Sequence, residues 1–292
     1  MSKNEQKILV TGATGRQGGA VVRQLLLSGF PVRALTRNPD RPAVRALAEK
    51  GVEICRGDFN DRSSLTRAVA GCQGVFSVQN FFEGGFEAEV VHGKLLADAA
   101  KAAKVKHFVY TSVAGAERHS GIPHFESKWL IEQHIRSLSL PCTIFRPVTF
   151  MESFIAFNFL QDGKLVIALP PETKLQVISA RDIGVFVAQA FNDPDDFIGR
   201  EIEIAGDELT MPELAKLFSQ ALGEPVTYRQ LPLEELQASS EELALMFKWF
   251  QTKGTIADIE LLRQLHPGLM AWSTWLSEVG LPMLKQQTGS KR

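Results

Sequence analysis

A run of closely spaced glycines near the start of the chain has the clearest chemistry in the sequence. Thr11-Gly-Ala-Thr-Gly-Arg-Gln-Gly-Gly19 follows an apolar strand pattern and opens a helical pattern that ends near Ser28. Gly12 permits a tight turn, Gly15 lets backbone approach a pyrophosphate, and Gly18 allows close packing of helix on strand. The helix N-terminus adds free N–H groups. The run predicts a dinucleotide site, and a glycine turn that binds nothing is the alternative.

The end of the second predicted strand indicates which dinucleotide the chain binds. An NAD site has Asp or Glu about 20 residues past the loop, where it holds the ribose 2′-hydroxyl. This chain has Thr36-Arg37-Asn38 there. A guanidinium can bind a 2′-phosphate through two hydrogen bonds, whereas an acid would repel it. NADP(H) is therefore predicted, and a solvated charge at a strand end is the alternative for Arg37.

A short polar segment, Gly57-Asp58-Phe59-Asn60-Asp61, follows the third predicted strand. The carboxylate of Asp58 could accept a hydrogen bond from the adenine amino group, with Phe59 packing nearby. Capping of the next helix by Asp58 or Asn60 fits the same residues equally well.

The elements that position these residues alternate regularly through the first half of the chain. Short apolar strand patterns alternate with helical patterns up to residue 145, which predicts right-handed βαβ crossovers and a parallel sheet. The glycine loop favours the doubly wound Rossmann form over a barrel. We expect a Rossmann domain of residues 1–150 plus about 175–204, with strand 175–178 rejoining the sheet. A smaller, mainly helical C-terminal lobe would comprise 151–174 and 205–292.

Composition excludes several classes of protein. The chain has 45% hydrophobic and 22% charged residues with a net charge of −1, typical of a globular protein and without a basic field for nucleic acid or a membrane surface. Its 3 cysteines form no C-x-x-C pair, and its histidines have no metal-ligand spacing. No secretory signal or long apolar run is present. We expect a cytoplasmic protein without a metal.

Several motifs resemble the NmrA-like branch of the atypical short-chain dehydrogenases/reductases, which includes NADPH-sensing regulators and quinone reductases. The resemblance covers most of the chain to about residue 210, and the helical remainder more loosely. The motifs that carry it are the glycine run, Thr36-Arg-Asn-Pro39, Gly57-Asp58, Gly93-Lys-Leu-Leu96, Pro123-His-Phe-Glu-Ser-Lys128 and Arg146-Pro-Val-Thr-Phe-Met-Glu152.

The resemblance implies a role for each matching position. The implied cofactor contacts are Gly12, Ala13, Thr14, Gly15, Arg16, Gln17 and Gly18 at the pyrophosphate; Arg37 at the 2′-phosphate; Asp58 and Phe59 at the adenine; Gln79, Asn80 and Phe81 at the ribose and nicotinamide; Lys128 at the nicotinamide ribose; and Phe150, Met151, Glu152 and Ser153 closing over the nicotinamide.

One departure from the superfamily pattern concerns the catalytic residues. Reductases of the superfamily use Tyr-x-x-x-Lys, but neither Tyr110 nor Tyr228 stands four residues before a lysine. His124-x-x-x-Lys128 occupies the expected place, and residues i and i+4 share a helix face. Histidine is the commonest general acid, so His124 is the candidate proton donor, with Ser112 at the polarising serine's position. Alternatively, His124 is an ordinary first-turn residue and Lys128 a surface lysine.

An aromatic cluster bears on the substrate. It comprises Phe81, Phe82, Phe86, Phe150, Phe154 and Phe157. These rings could line a pocket for a flat or apolar substrate, and core packing explains them as well. The favoured function is an oxidoreductase that transfers hydride between NADPH and a small quinone or carbonyl substrate. The alternative is a non-catalytic NADP(H) sensor acting through a protein partner. A homodimer is compatible with either function.

Overall fold

The computed structural model describes residues 6–289. Its strands, numbered in chain order, are β1 (Ile8–Val10), β2 (Val32–Thr36), β3 (Glu53–Arg56), β4 (Gly74–Ser77), β5 (His107–Thr111), β6 (Cys142–Pro147), β7 (Thr149–Phe150), β8 (Leu160–Gln161), β9 (Lys164–Ile167), β10 (Lys174–Ile178), β11 (Glu201–Ile204), β12 (Asp207–Thr210) and β13 (Thr227–Gln230). Its α-helices are α1 (Arg16–Leu27), α2 (Pro42–Ala48), α3 (Arg62–Val69), α4 (Phe81–Ala102), α5 (Pro123–Ser137), α6 (Ser153–Ala156), α7 (Ala180–Asn192), α8 (Pro194–Phe197), α9 (Met211–Leu222), α10 (Leu233–Ser239), α11 (Glu241–Thr252), α12 (Ile259–Leu265), α13 (Trp272–Trp275) and α14 (Leu281–Gly289).

The chain forms two compact units. The first contains the described residues up to His119 together with Pro123–Arg146 and Ile183–Ile202. The second contains Ser120–Ile122, Pro147–Asp182 and the described residues from Glu203 onward.

The first unit is built on a seven-stranded sheet with the order β11-β6-β5-β4-β1-β2-β3. The strand pairs from β6 to β3 are all parallel. From β1 the chain proceeds to β2 and β3 on one side and then to β4, β5 and β6 on the other. This is the strand order of the doubly wound Rossmann fold, and the predicted fold class is confirmed.

Helices cover both faces of this sheet. Phe108 and Ile144 share a buried apolar cluster with residues of α3, α4 and α5. Side chains alternate along a strand, so the neighbouring residues point to the opposite face. There Phe145 lies 6.2 Å from Phe186 of α7, and His107 lies 5.2 Å from Phe191 of the same helix, measured between ring centroids. Strands buried on both faces explain the continuous apolar runs in the sequence.

The second unit contains two small sheets, β12-β10-β7 and β13-β9-β8, beside its helices. The expectation that strand 175–178 rejoins the large sheet is wrong. β10 instead pairs parallel with β7 and antiparallel with β12, so the chain returns to the first unit only at Ile183. The core of the second unit surrounds Trp272, whose ring centroid lies 4.8 Å from that of Phe154 and 5.0 Å from that of Trp275.

Within the described part of the chain, every helix is too short or too polar to cross a membrane. The same residues contain no group of three or more His, Cys, Asp or Glu side chains arranged to hold a metal ion.

Candidate functional site

The carboxyl ends of β1 and β4 meet at the point where the strand order reverses. Thr11 joins them, since its hydroxyl donates a hydrogen bond to the carbonyl of Val78 (3.0 Å) and accepts one from the Val78 N–H (2.9 Å). In doubly wound sheets, ligands bind in the crevice at this reversal. The predicted glycine run follows β1 and the predicted residues 79–81 follow β4, so both segments lie at this edge of the sheet.

The glycine loop is a tight turn on which α1 packs closely. Gly12 has a φ of 61°, and its carbonyl accepts a 2.8 Å hydrogen bond from the N–H of Gly15. A Cβ on Gly18 would lie 2.2 Å from the carbonyl oxygen of Gly12, so only glycine fits there. Gly15 has ordinary extended backbone and an exposed surface. Gly18 therefore has the packing role that the motif predicts, whereas contact of Gly15 with a phosphate stays a prediction.

The N-terminus of α1 lacks the groups that usually satisfy a helix end. Its N-cap residue, Gly15, offers no side-chain hydrogen bond, and its first turn contains no acidic residue. The first N–H groups of a helix need an acceptor and carry the positive end of the helix dipole. Thr14, Gly15 and Arg16 are exposed around this end, while Ala13 is buried. The arrangement suits an anionic group such as a pyrophosphate.

Buried polar atoms without a partner occur at three of the predicted contact residues. Among the described residues, the Oε1 atoms of Gln17 and Gln79 and the hydroxyl of Ser112 are buried and make no hydrogen bond. The other end of Gln79 is fixed, because its Nε2 donates to the hydroxyl of Ser77 (3.0 Å). Buried polar atoms in proteins are nearly always hydrogen-bonded. Together with the uncapped helix, these atoms fit a polar ligand such as a dinucleotide.

Arg37, the predicted 2′-phosphate ligand, already has an acidic neighbour. Its Nη2 lies 2.8 Å from Oε2 of Glu83, and both side chains are exposed. The other oxygen of Glu83 accepts a hydrogen bond from Nδ2 of Asn80 (3.2 Å). Glu83, which lies in the first turn of α4, is not predicted from the sequence.

The segment after β3 forms its own turn. Oδ1 of Asp58 accepts hydrogen bonds from the backbone N–H (2.8 Å) and Nδ2 (3.1 Å) of Asn60. Capping of α3 by Asp58 or Asn60 is wrong, because Asp61 is the N-cap. Phe59 stacks on His92, with 5.2 Å between centroids and 19° between ring planes. Burial lowers the pKa of His92, which favours the neutral form of this ring.

α4 begins earlier than the sequence suggests and contains a break. Asn80 is its N-cap and accepts a hydrogen bond from the N–H of Phe82 (3.2 Å). Gly85 then has φ 74° and ψ −170°, a conformation available almost only to glycine. Residues 81–84 therefore form a separate turn ahead of the main helix, which the sequence predicts from about Glu87.

His124, the candidate proton donor, lies among aromatic rings. Its ring centroid is 5.7 Å from that of Phe81, 6.1 Å from that of Phe82 and 4.8 Å from that of Phe125. Phe82 is 71% exposed. This half of the predicted aromatic cluster is accessible to a ligand. In the second unit, by contrast, Phe154 is a core residue, and for it core packing is the correct interpretation.

Lys128 is held by a carboxylate that is not among the residues predicted from the sequence. Its Nζ contacts Oε1 of Glu89, while the hydroxyl of Ser127 donates to Oε2 of the same carboxylate. The Glu89 side chain is 0% exposed and that of Lys128 14% exposed. The alternative of a solvated surface lysine is therefore wrong.

Residues 4–275 match the NmrA-like family. The chain belongs to the NmrA-like family. The resemblance that the motifs indicate is thereby confirmed over nearly the whole chain. One relative, the (4-alkanoyl-5-oxo-2,5-dihydrofuran-3-yl)methyl phosphate reductase of Streptomyces griseus, is 33% identical over 245 residues, which cover 83% of this chain and 81% of the reductase.

Two solved structures share the NmrA-like fold of this chain. NmrA, a negative transcriptional regulator, in complex with NADP superimposes with a TM-score of 0.82 at 22% identity, covering 98% of both chains. The triphenylmethane reductase of Citrobacter sp. with NADP(H) gives a TM-score of 0.79 at 24% identity, covering 96% of this chain and 99% of the reductase. At these identities the likeness establishes the fold.

In this NmrA-like chain, two side chains of the segment expected to close over the nicotinamide are buried inside the second unit. Met151 is buried, and Glu152 accepts hydrogen bonds from the Ala180 N–H (3.1 Å) and from Nε1 of Trp275 (3.2 Å). Burial raises the pKa of Glu152. Phe150 and Ser153 are only half-buried, so in this segment they keep side-chain surface for a ligand.

Proposed function

We propose that this protein binds NADP(H) and is an oxidoreductase for a small quinone or carbonyl substrate. The observation that carries the proposal is the uncapped N-terminus of α1 at the reversal of strand order, with unpartnered buried oxygens on Gln17 and Gln79. A phosphate supplies the acceptors that these helix N–H groups need. The NADP complexes of two proteins of this fold and the reductase activity of a relative support the same function.

Each predicted contact has a physical basis in the proposed complex. The N–H groups of residues 16 and 17 bind the pyrophosphate, and the guanidinium of Arg37 binds the 2′-phosphate. Asp58 and Phe59 bind the adenine, and Lys128 donates hydrogen bonds to the nicotinamide ribose. Because Glu83 contacts Arg37, the 2′-phosphate competes with a carboxylate for the guanidinium.

The proposed chemistry requires a hydride and a proton. NADPH supplies the hydride when bound. His124 holds a proton on its imidazole and donates it to the reduced oxygen of the substrate, the role that tyrosine has elsewhere in the superfamily. Ser112, whose buried hydroxyl has no partner among the described residues, polarises the same oxygen.

The substrate class follows from the rings beside His124. The ring centroids of Phe81 and the exposed Phe82 lie 5.7 Å and 6.1 Å from that of the His124 imidazole, so both rings offer apolar faces beside it. Flat conjugated molecules stack on such faces. A quinone or an aryl carbonyl compound satisfies both this stacking and the need for a reducible oxygen.

A second candidate function is an NADP(H) sensor that acts through a protein partner without turnover. The specific observation that favours it is the absence of Tyr-x-x-x-Lys, for which the chain has His124 and Lys128 instead. Such a sensor would bind NADPH and leave it unconsumed.

One experiment separates these functions. The purified chain is titrated with NADPH and NADH by calorimetry, and NADPH absorbance is followed with a panel of quinones, aldehydes and ketones. Binding with consumption above background supports the enzyme. Binding without consumption of NADPH by any panel member supports the sensor, and absence of binding overturns both.

A further inference from the structure

The ion pair between Glu89 and Lys128 joins two helices beside the proposed site. Two of the contacts between α4 and α5 follow one another along the helices, first between Phe81 and His124 and then between Glu89 and Lys128. The break at Gly85 lies between the two contacts on α4. His124 and Lys128 are one turn apart on α5, so the proposed proton donor and the proposed ribose ligand are adjacent.

Both charges of this pair are withdrawn from water. The side chain of Glu89 is 0% exposed. The hydroxyl of Ser127 donates a hydrogen bond to its second oxygen, so both carboxylate oxygens are held in place. An ion pair buried in this way gains little stability over apolar residues of similar size, because desolvation offsets the attraction. Stability alone therefore gives a weak reason for an ion pair here.

We infer that Glu89 is a positioning residue: it fixes the ammonium of Lys128 where the nicotinamide ribose binds. The inference rests on the proposed function. A lysine side chain has four rotatable bonds, and ordering it costs conformational free energy. A buried carboxylate that orders the side chain before the ligand arrives removes that cost from binding.

The test is a double-mutant cycle on the dissociation constant of NADPH, which is measurable in inactive variants. Glu89→Gln keeps the size of the side chain and removes its charge. We expect it to weaken NADPH binding about tenfold, which corresponds to about 1.4 kcal/mol, because the ammonium of Lys128 then has to be ordered when the ligand binds. In the Lys128→Met background the same change should matter less than about twofold, because a residue acting through Lys128 has nothing left to position.

A matched control breaks a different contact between the same helices. Asp98 of α4 lies 2.7 Å from His134 of α5, between Oδ1 and Nε2. Asp98→Asn should leave the NADPH dissociation constant unchanged. Loss of affinity in this variant equal to that of Glu89→Gln would overturn the inference, because any damage to helix packing would then suffice.

The remaining outcomes are also decisive. A tenfold effect of Glu89→Gln that persists in the Lys128→Met background shows a structural role, and no effect in either background excludes positioning. If Glu89→Gln does not fold, Glu89→Met/Lys128→Met is compared with Lys128→Met, since an apolar pair retains the packing. A further loss of more than about twofold overturns the inference. Failure of the wild-type chain to bind NADPH refutes the proposed function instead.

Discussion

Arg37 and Glu83 form an ion pair although 46 residues separate them in sequence. Nη2 of Arg37 at the end of β2 lies 2.8 Å from Oε2 of Glu83 in the first turn of α4. Both side chains face solvent, so the pair contributes little to stability. The pair matters for cofactor binding, because the proposed 2′-phosphate and the Glu83 carboxylate compete for the same guanidinium.

Arg37→Ala should weaken binding of NADPH about 10- to 100-fold, since hydrogen bonds to charged groups are worth about 1.5–3 kcal/mol. NADH lacks the 2′-phosphate, so its affinity should change little. Calorimetric titration of both dinucleotides checks this. Equal losses for the two would refute the phosphate assignment.

Glu83→Gln is the control for Arg37→Ala and should change NADPH affinity in the opposite direction. It removes the competing charge, and an exposed ion pair is worth about 0.2–1 kcal/mol. NADPH should therefore bind up to about fivefold more tightly, with NADH unaffected. Weaker NADPH binding in this variant would mean that Glu83 supports the site instead of competing with the phosphate.

Gly15→Val should abolish NADPH binding, whereas Gly18→Ala should destabilise the fold. Gly15 has a φ of −85° and a ψ of 176°, which valine tolerates, and a Cβ there would lie 3.2 Å from the carbonyl oxygen of Gly12. The Gly15→Val variant should therefore fold with a small shift of the loop and lose NADPH binding. Gly18→Ala forces a Cβ to 2.2 Å from a carbonyl oxygen and should lower the free energy of unfolding by about 3 kcal/mol. Urea unfolding and NADPH titration distinguish the two. Retained affinity in Gly15→Val would make the loop purely architectural.

His124→Ala should cut turnover about 100-fold, the usual contribution of a general acid. The NADPH dissociation constant should stay within about twofold, because the imidazole faces the substrate in the proposal. His134→Ala is the matched control, since His134 lies on the same helix and bonds to Asp98. Turnover that survives His124→Ala removes the imidazole from the mechanism.

Stability should fall in acid because of His107. Burial lowers the pKa of this histidine from 6.5 to about 4, and its Nε2 lies 2.8 Å from Oγ1 of Thr143. Below pH 6.5 the unfolded chain therefore binds a proton at His107, whereas in the folded chain this histidine stays mostly neutral down to about pH 4. Stability from this group is complete above pH 6.5 and declines by about 3 kcal/mol as the pH falls to about 4.

Urea unfolding of wild type and His107→Gln between pH 4 and 7 measures this contribution. Glutamine retains hydrogen bonding and does not titrate, so the difference between the two curves isolates the histidine. An unchanged pH dependence in the variant would contradict the assignment.

Much of the fold was predictable because its signals are local. The glycine run between a strand and a helix predicts the turn at Gly12 and the close packing at Gly18, and both are present. Alternation of strand and helix patterns predicts a doubly wound sheet, since few topologies satisfy right-handed crossovers. The site at the end of β1 follows from the same rules.

The features that sequence reasoning missed depend on contacts distant in sequence. Glu83 meets Arg37 only because α4 starts beside the end of β2. The residues of a strand do not encode which strand it pairs with, so the sequence wrongly places β10 in the large sheet. Glu89 left a usable signal, however. It precedes Gly93, Leu96 and Ala100 on the buried stripe of α4, and a carboxylate on such a stripe needs a buried cation.

The break at Gly85 isolates a single turn that carries both Glu83 and Phe82. These residues are adjacent on the turn, so a backbone shift that moves one side chain also moves the other. In the proposed complex, a substitution at Glu83 that shifts this turn should therefore alter both the preference between the two nicotinamide dinucleotides and the range of acceptors.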